Sequence, residues 1–119
     1  MNDITDTLNQ IVKCLQPANP YKIVLFGSYA KGNPRWDSDI DIMVILDNEN
    51  VAKTRQERVQ TKLAVCRLLR EINRQYAMDI IVYSKAEWHL CNSDGRNSFL
   101  TEIDETGRIL YERENSRMV

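Results

Sequence analysis

Phe26-Gly27-Ser28-Tyr29-Ala30-Lys31-Gly32-Asn33-Pro34-Arg35-Trp36-Asp37-Ser38-Asp39-Ile40-Asp41 joins two short apolar runs, Ile23-Val24-Leu25-Phe26 and Ile40-Asp41-Ile42-Met43-Val44-Ile45-Leu46. Both runs are β-branched and bounded by turn residues, so both read as strands. Gly27 permits close backbone approach, and Ser28 is a good N-cap for a short helix that Gly32 and Pro34 close. Backbone N–H groups at such a turn suit a phosphate. Asp39 and Asp41 open the second strand at i and i+2. Side chains alternate along a strand, so the two carboxylates share a face, with Cα atoms roughly 6.6 Å apart. An Asp-x-Asp at a strand start is often only solvated charge. Beside a phosphate cradle, however, such a pair can hold Mg²⁺, which takes oxygen ligands and bridges to phosphates. Together these parts are the minimum for phosphoryl or nucleotidyl transfer.

Working outward, residues 3–16 read as a helix, because Ile4, Leu8, Ile11 and Leu15 form one apolar stripe before Pro17 and Pro20. Residues 22–26 form the first strand and 39–46 the second. In the second strand, Ile40, Ile42, Val44 and Leu46 face helices, and Asp39, Asp41, Met43 and Ile45 face the other way. A long helix is expected over 51–76, with Val65, Leu68, Leu69, Ile72 and Tyr76 as its buried stripe and Arg67, Arg70 and Arg74 opposite. That segment carries seven basic residues against two acidic ones. A solvated face explains the excess, and a docking surface is the alternative. Residues 78–83 form a third strand with Asp79 near its start. Ser84-Lys85-Ala86-Glu87 matches a capping box, so a helix begins there. A loop over 92–97, a short helix over 98–105 ending at Gly107 and a strand over 108–111 complete the order, and the tail 112–119 is expected to fray.

The chain has 119 residues, which favours one domain over 1–119. That length buries roughly 65% of the unfolded surface. Sixteen basic residues against seventeen acidic ones leave a net charge of −1, without the basic excess expected of a nucleic-acid binder. No run approaches the ~20 apolar residues of a membrane span, and the N-terminus has no signal-peptide core, so a cytoplasmic protein is expected. Cys14, Cys66 and Cys91 match no ligand spacing and read as reduced, mostly buried thiols. His89 is the single histidine and reads as structural. Alternating helices and strands favour α/β layers around one sheet.

The run Gly27-Ser28, ten residues, then Asp39-x-Asp41 resembles the signature of the DNA polymerase β-type nucleotidyltransferases, and within them the minimal nucleotidyltransferases (MNT). Gly27, Ser28, Ala30, Gly32, Asp37, Ser38, Asp39, Ile40 and Asp41 fit in register. Tyr29 and Lys31 stand where the family often carries Arg, and Trp36 where Pro is common. The resemblance implies the α/β (α+β) nucleotidyltransferase palm, a small mixed sheet with helices packed mainly on one face. It implies two Mg²⁺ ions held by Asp39, Asp41 and Asp79, with Asp79 beside the attacking hydroxyl. It implies ATP as substrate, with Gly27 and Ser28 cradling its phosphates. Lys31 or Arg35 could neutralise the triphosphate, or either could be plain surface charge. The implied reaction moves AMP to a hydroxyl. Proteins of this kind resemble the antitoxin half of HEPN/MNT toxin–antitoxin pairs, so the expected acceptor is a tyrosine on a HEPN ribonuclease toxin, in a hetero-oligomer. A small-molecule acceptor with a second chain completing the pocket is the alternative. A non-catalytic module that occludes its partner is another, which the intact acid triad disfavours. A polymerase on a DNA template fits worst, for want of basic surface and of chain.

Overall fold

The computed structural model describes residues 4–93, 102–103 and 105–113. Helix α1 (Thr5–Leu15) buries Leu8, Ile11 and Leu15, the stripe expected, and passes through a single 3₁₀ turn at Gln16–Ala18 into β1 (Pro20–Phe26). Then follow α2 (Gly27–Lys31), β2 (Ile40–Leu46), α3 (Arg55–Leu68), α4 (Arg70–Gln75), β3 (Met78–Ser84), α5 (Lys85–Ser93) and β4 (Arg108–Glu112). The four strands lie in the order β3-β2-β1-β4. β2 runs antiparallel to β1 and parallel to β3, while β4 is antiparallel to β1. This is a mixed α/β architecture around a small sheet, as expected.

Each face of the sheet has its own apolar cluster. Ile23, Leu25, Ile40, Ile42, Val44, Ile80 and Val82 pack with Leu8, Ile11 and Leu15 of α1, and with Val65, Leu69 and Ile72. This larger layer follows from strand alternation, which sends every second residue of β2 to the same side. Val24, Phe26, Met43 and Ile45 pack on the other face against Trp88 of α5 and Ile103. Helices therefore load mainly one face, with α5 covering part of the second.

The expected helix over 51–76 is two helices, and it starts late. Thr54 caps α3 by accepting the Glu57 N–H (3.1 Å), and Glu57 Oε1 accepts the Lys53 N–H (2.9 Å). A Thr-x-x-Glu box at 54–57 was present in the sequence and sets the boundary. The helix breaks at Leu69, which is fully buried with non-helical backbone angles. The break lets Leu69 and Ile72 fill the core while residues 53–64, all exposed, stand clear of it. Arg67, Arg70 and Arg74 are exposed as expected, with Arg74 paired to Glu71 at 3.2 Å.

Several smaller expectations change. Asn92 belongs to the last turn of α5, not to a loop. Of the helix expected over 98–105, residues 102–103 and 105 are helical, and the rest lies outside the described residues. Glu112 is in β4, and Arg113 is held by its N–H to Tyr21 O (2.8 Å) and by its guanidinium on Asp47, so these two residues of the expected tail are not frayed; 114–119 lie outside the described residues. The three cysteines are free and half-buried rather than buried. His89 lies on the exposed side of α5.

The capping box at 84–87 forms as read. Ser84 Oγ accepts the Glu87 N–H (3.0 Å), and Glu87 Oε1 accepts the Ser84 N–H (2.9 Å). Glu87 does more than cap. Its Oε2 accepts the Ala52 N–H (2.9 Å) and an Arg58 guanidinium N–H (3.1 Å), tying the segment before α3 to the start of α5. Burial alone would raise the Glu87 carboxyl, but the N–H groups of Ala52 and Ser84 and the Arg58 charge together hold it below its ordinary 4.5. Folding therefore favours the charged form. That stabilisation is complete above about pH 4.5 and is lost as the pH falls through the lower folded value. Glu87→Gln is expected to cost about 1–3 kcal/mol at neutral pH, the range for a buried donor left unpaired. Urea melts should show this deficit at pH 7 and show the two proteins converging on acidification below pH 4.5.

Candidate active site

β1 ends at Phe26, and Phe26 pairs with Asp41 on β2. On the other side of β2, Asp41 pairs with Asp79 on β3. Paired residues on neighbouring strands lie roughly 5 Å apart and point to the same face. Asp41 and Asp79 are thus side by side, on the face that carries Met43, Ile45 and Trp88. The apolar cluster covers Met43 and Ile45, leaving Asp41 half-buried and Asp79 exposed. Asp39 is also exposed and directly precedes β2, which begins at Ile40 rather than at Asp39. The Ile40 N–H donates to Ala77 O (2.9 Å), drawing the entries to β2 and β3 together.

Gly27 follows Phe26 and has a positive φ of 75°. A Cβ on Gly27 would overlap Asp41 Oδ2 and lie 3.0 Å from Asp41 Cγ. Only glycine meets both demands, the left-handed backbone and the vacant volume that the carboxylate fills. The motif is therefore a packed unit in which the turn abuts the acid. The role of Ser28 as N-cap is corrected: Phe26 occupies the N-cap position, no side chain caps α2, and Ser28 lies within the first turn. The helix starts at Gly27, two residues earlier than a Ser28 cap requires. Gly32 closes α2 in the left-handed conformation, as expected. Lys31 is the last residue of α2 and Arg35 lies on the connection to β2; both are exposed, and neither makes an ion pair among the described residues. The structure brings Gly27, Asp39, Asp41 and Asp79 to one end of the sheet. Lys31 and Arg35 form no ion pair with these acids.

Burial first, then the charges of Asp79 and Asp39, hold the Asp41 carboxyl above its ordinary value of 3.8. The three acids are close enough to repel one another. Among the described residues, no three acid, histidine or cysteine groups converge into a ready metal cluster. The two observations are compatible. Mg²⁺ is usually held by one or two carboxylates with substrate phosphates completing the shell, not by an all-protein cage. A repelling carboxylate pair beside a glycine turn is a donor set of that incomplete kind, so the residues present fit the ion.

A cleft of about 620 Å³ opens elsewhere, lined by Leu46, Ser84, Glu87, Arg58 and the segment 48–53. It adjoins the far ends of β2 and β3, with Leu46 five residues beyond Asp41, roughly 16 Å along the strand. None of the candidate residues lines it. Glu87 and Arg58 in its lining are paired with each other, so we read it as a structural junction.

The family profile described as Polymerase beta, Nucleotidyltransferase matches residues 9–116. The chain belongs to this nucleotidyltransferase family. No curated protein matches it significantly. Among solved structures, this nucleotidyltransferase is similar in fold to a putative nucleotidyltransferase from Sulfolobus solfataricus (TM-score 0.57, 22% identity, 92% of this chain and 81% of that one). It is similar to a toxin–antitoxin crystallised with AMP-PNP (TM-score 0.52, 21% identity, 93% and 77%). It also resembles a chain in the complex of a tri-AMPylated Shewanella oneidensis HEPN toxin with its MNT antitoxin (TM-score 0.52, 18% identity, 98% and 78%). At these identities the likeness is one of fold.

A raised folded-state pKa means that Asp41 contributes full stability below about pH 3.8 and loses it as the pH rises through the folded value. Asp41→Asn is therefore expected to stabilise the metal-free protein at pH 7 by roughly 0.2–1 kcal/mol, the range for partly exposed charge pairs. Denaturant melts in EDTA at pH 7 and pH 3 check this. The gain should be absent at pH 3.

Proposed function

We propose that this nucleotidyltransferase moves AMP from ATP to a hydroxyl acceptor, and that the acceptor is a tyrosine on a HEPN ribonuclease partner, with this chain as the antitoxin. The observation that carries the reading is the registration of Asp41 opposite Asp79, with the Gly27 turn packed on the Asp41 carboxylate. Asp39, Asp41 and Asp79 would hold two Mg²⁺ ions. When bound, these ions supply charge neutralisation and Lewis acidity toward the triphosphate. The backbone at Gly27 and Ser28 orients the β- and γ-phosphates, and Lys31 or Arg35 offsets their charge from the exposed connection. Asp79, exposed at the sheet edge, takes the proton of the incoming hydroxyl. The hydroxyl oxygen bonds the α-phosphorus as the bond to pyrophosphate breaks.

The HEPN assignment draws on the solved complex in which a HEPN toxin is tri-AMPylated beside an MNT antitoxin. A phenol has an ordinary pKa near 10, so its deprotonation by Asp79 needs the nearby cations to lower that value.

Mass spectrometry of the protein encoded by the adjacent reading frame, co-expressed with this chain, tests the reading. AMP should appear on a tyrosine with wild type. Asp39→Ala/Asp41→Ala should reduce it by at least roughly a hundredfold, because several kcal/mol of charge stabilisation leave with the carboxylates. Binding without modification, together with transfer to free small hydroxyl compounds, would replace the protein acceptor with a small one. Binding with no transfer to either would leave occlusion as the function.

A further inference from the structure

Trp36 is 92% exposed, the most exposed large apolar residue among those described. Every residue from 31 to 39 is exposed except Ser38, which is half-buried, so nothing described in this chain covers the indole. The connection is nonetheless tied at this point. The Arg35 N–H donates to Ser38 Oγ (2.7 Å), and the Ser38 N–H donates to Arg35 O (3.0 Å). These two bonds close a tight turn over 35–38 with Trp36 at its tip. Asp39 follows three residues after Trp36. Three residues span at most about 11 Å, so the Cα atoms of Trp36 and Asp39 lie within that distance of each other.

We infer that Trp36 is a positioning residue, an anchor that inserts into an apolar pocket of the second polypeptide and sets its hydroxyl against Asp39, Asp41 and Asp79. The inference rests on the reading that another chain supplies the acceptor. Three features favour a polypeptide over the nucleobase as the occupant. Small-ligand sites are concave and bury most of the ligand, whereas Trp36 is convex with no facing wall. A protruding Trp held on a pre-formed turn is the pattern of an interface anchor, which loses little freedom on binding. The indole gains a large apolar burial only if its counterpart provides the cavity.

The experiment compares wild type with Trp36→Ala and Trp36→Phe, using the co-expressed protein of the adjacent reading frame as the acceptor. An exposed residue leaves folding intact on truncation, and a melt verifies that. Trp36→Ala should raise KM for the acceptor by roughly thirty-fold or more, the size of an interface hot-spot loss, with kcat and KM for ATP little changed. Trp36→Phe should recover part of the loss. The wild-type minus Trp36→Ala emission spectrum isolates Trp36 from Trp88, which is buried. That difference spectrum should shift to the blue on adding the acceptor protein and stay constant with Mg·AMP-PNP alone. A shift with Mg·AMP-PNP alone would assign the indole to the nucleobase and overturn the inference. An unchanged KM for Trp36→Ala, with wild type modifying the acceptor, would overturn it alone. Failure of wild type to bind that protein would remove the functional reading and the inference with it.

Discussion

The Asp41 carboxylate occupies the volume that a side chain on Gly27 would need, and the rest of the active end is arranged around that contact. It requires β1 and β2 to be antiparallel neighbours with Phe26 opposite Asp41, so that the chain leaves β1 directly over the acid. It requires β3 on the far side of β2, parallel and in register, to bring Asp79 alongside. Shifting either pairing by one residue would turn one partner to the opposite face. The apolar positions prevent such slips. Ile40, Ile42 and Val44 are fully buried on one side of β2, with Met43 and Ile45 fully buried on the other. A strand packed on both faces is strongly fixed in register, and the carboxylates inherit that precision.

The like charges at this end oppose folding. Asp41 is held in its place by the strand, and its raised pKa follows from burial first and from the charges of Asp79 and Asp39 second. Local rules broken at one spot, within an otherwise well-satisfied sheet, are characteristic of functional sites. The contrast with Glu87 is instructive. Glu87 is more buried, yet its pKa falls, because three donors, the Ala52 and Ser84 N–H groups and the Arg58 guanidinium, converge on it. One carboxylate is a structural knot, and the other is crowded by its like-charged neighbours.

The sequence was readable where two signals agreed. Short β-branched runs bounded by turn residues marked β1, β2 and β3, although β1 starts at Pro20, two residues before the expected 22, and the Gly27-Ser28 to Asp39-x-Asp41 spacing located the acids. Ser84-x-x-Glu87 was read as a cap, while the equivalent Thr54-x-x-Glu57 was passed over inside a long polar stretch, which placed the start of α3 too early. The break at Leu69 carries no Gly or Pro to announce it. It arises from tertiary packing, which turns Leu69 and Ile72 inward after a helix whose first half is exposed. The Ser28 cap failed for a similar reason: propensity favours Ser at an N-cap, but α2 starts at Gly27, two residues sooner, so Ser28 lies inside its first turn. The connections of Glu87 to Ala52 and Arg58, far apart in sequence, have no local signature at all.

Direct location of the divalent ion tests the account most sharply. Mn²⁺ in place of Mg²⁺, added with AMP-PNP, broadens the NMR signals of nearby amides in labelled protein. The account predicts broadening centred on Gly27, Ser28, Asp39, Asp41 and Asp79, lost in Asp39→Ala/Asp41→Ala. Broadening centred instead on the junction around Lys53, Arg58 and Glu87, or unchanged by the double substitution, would contradict it.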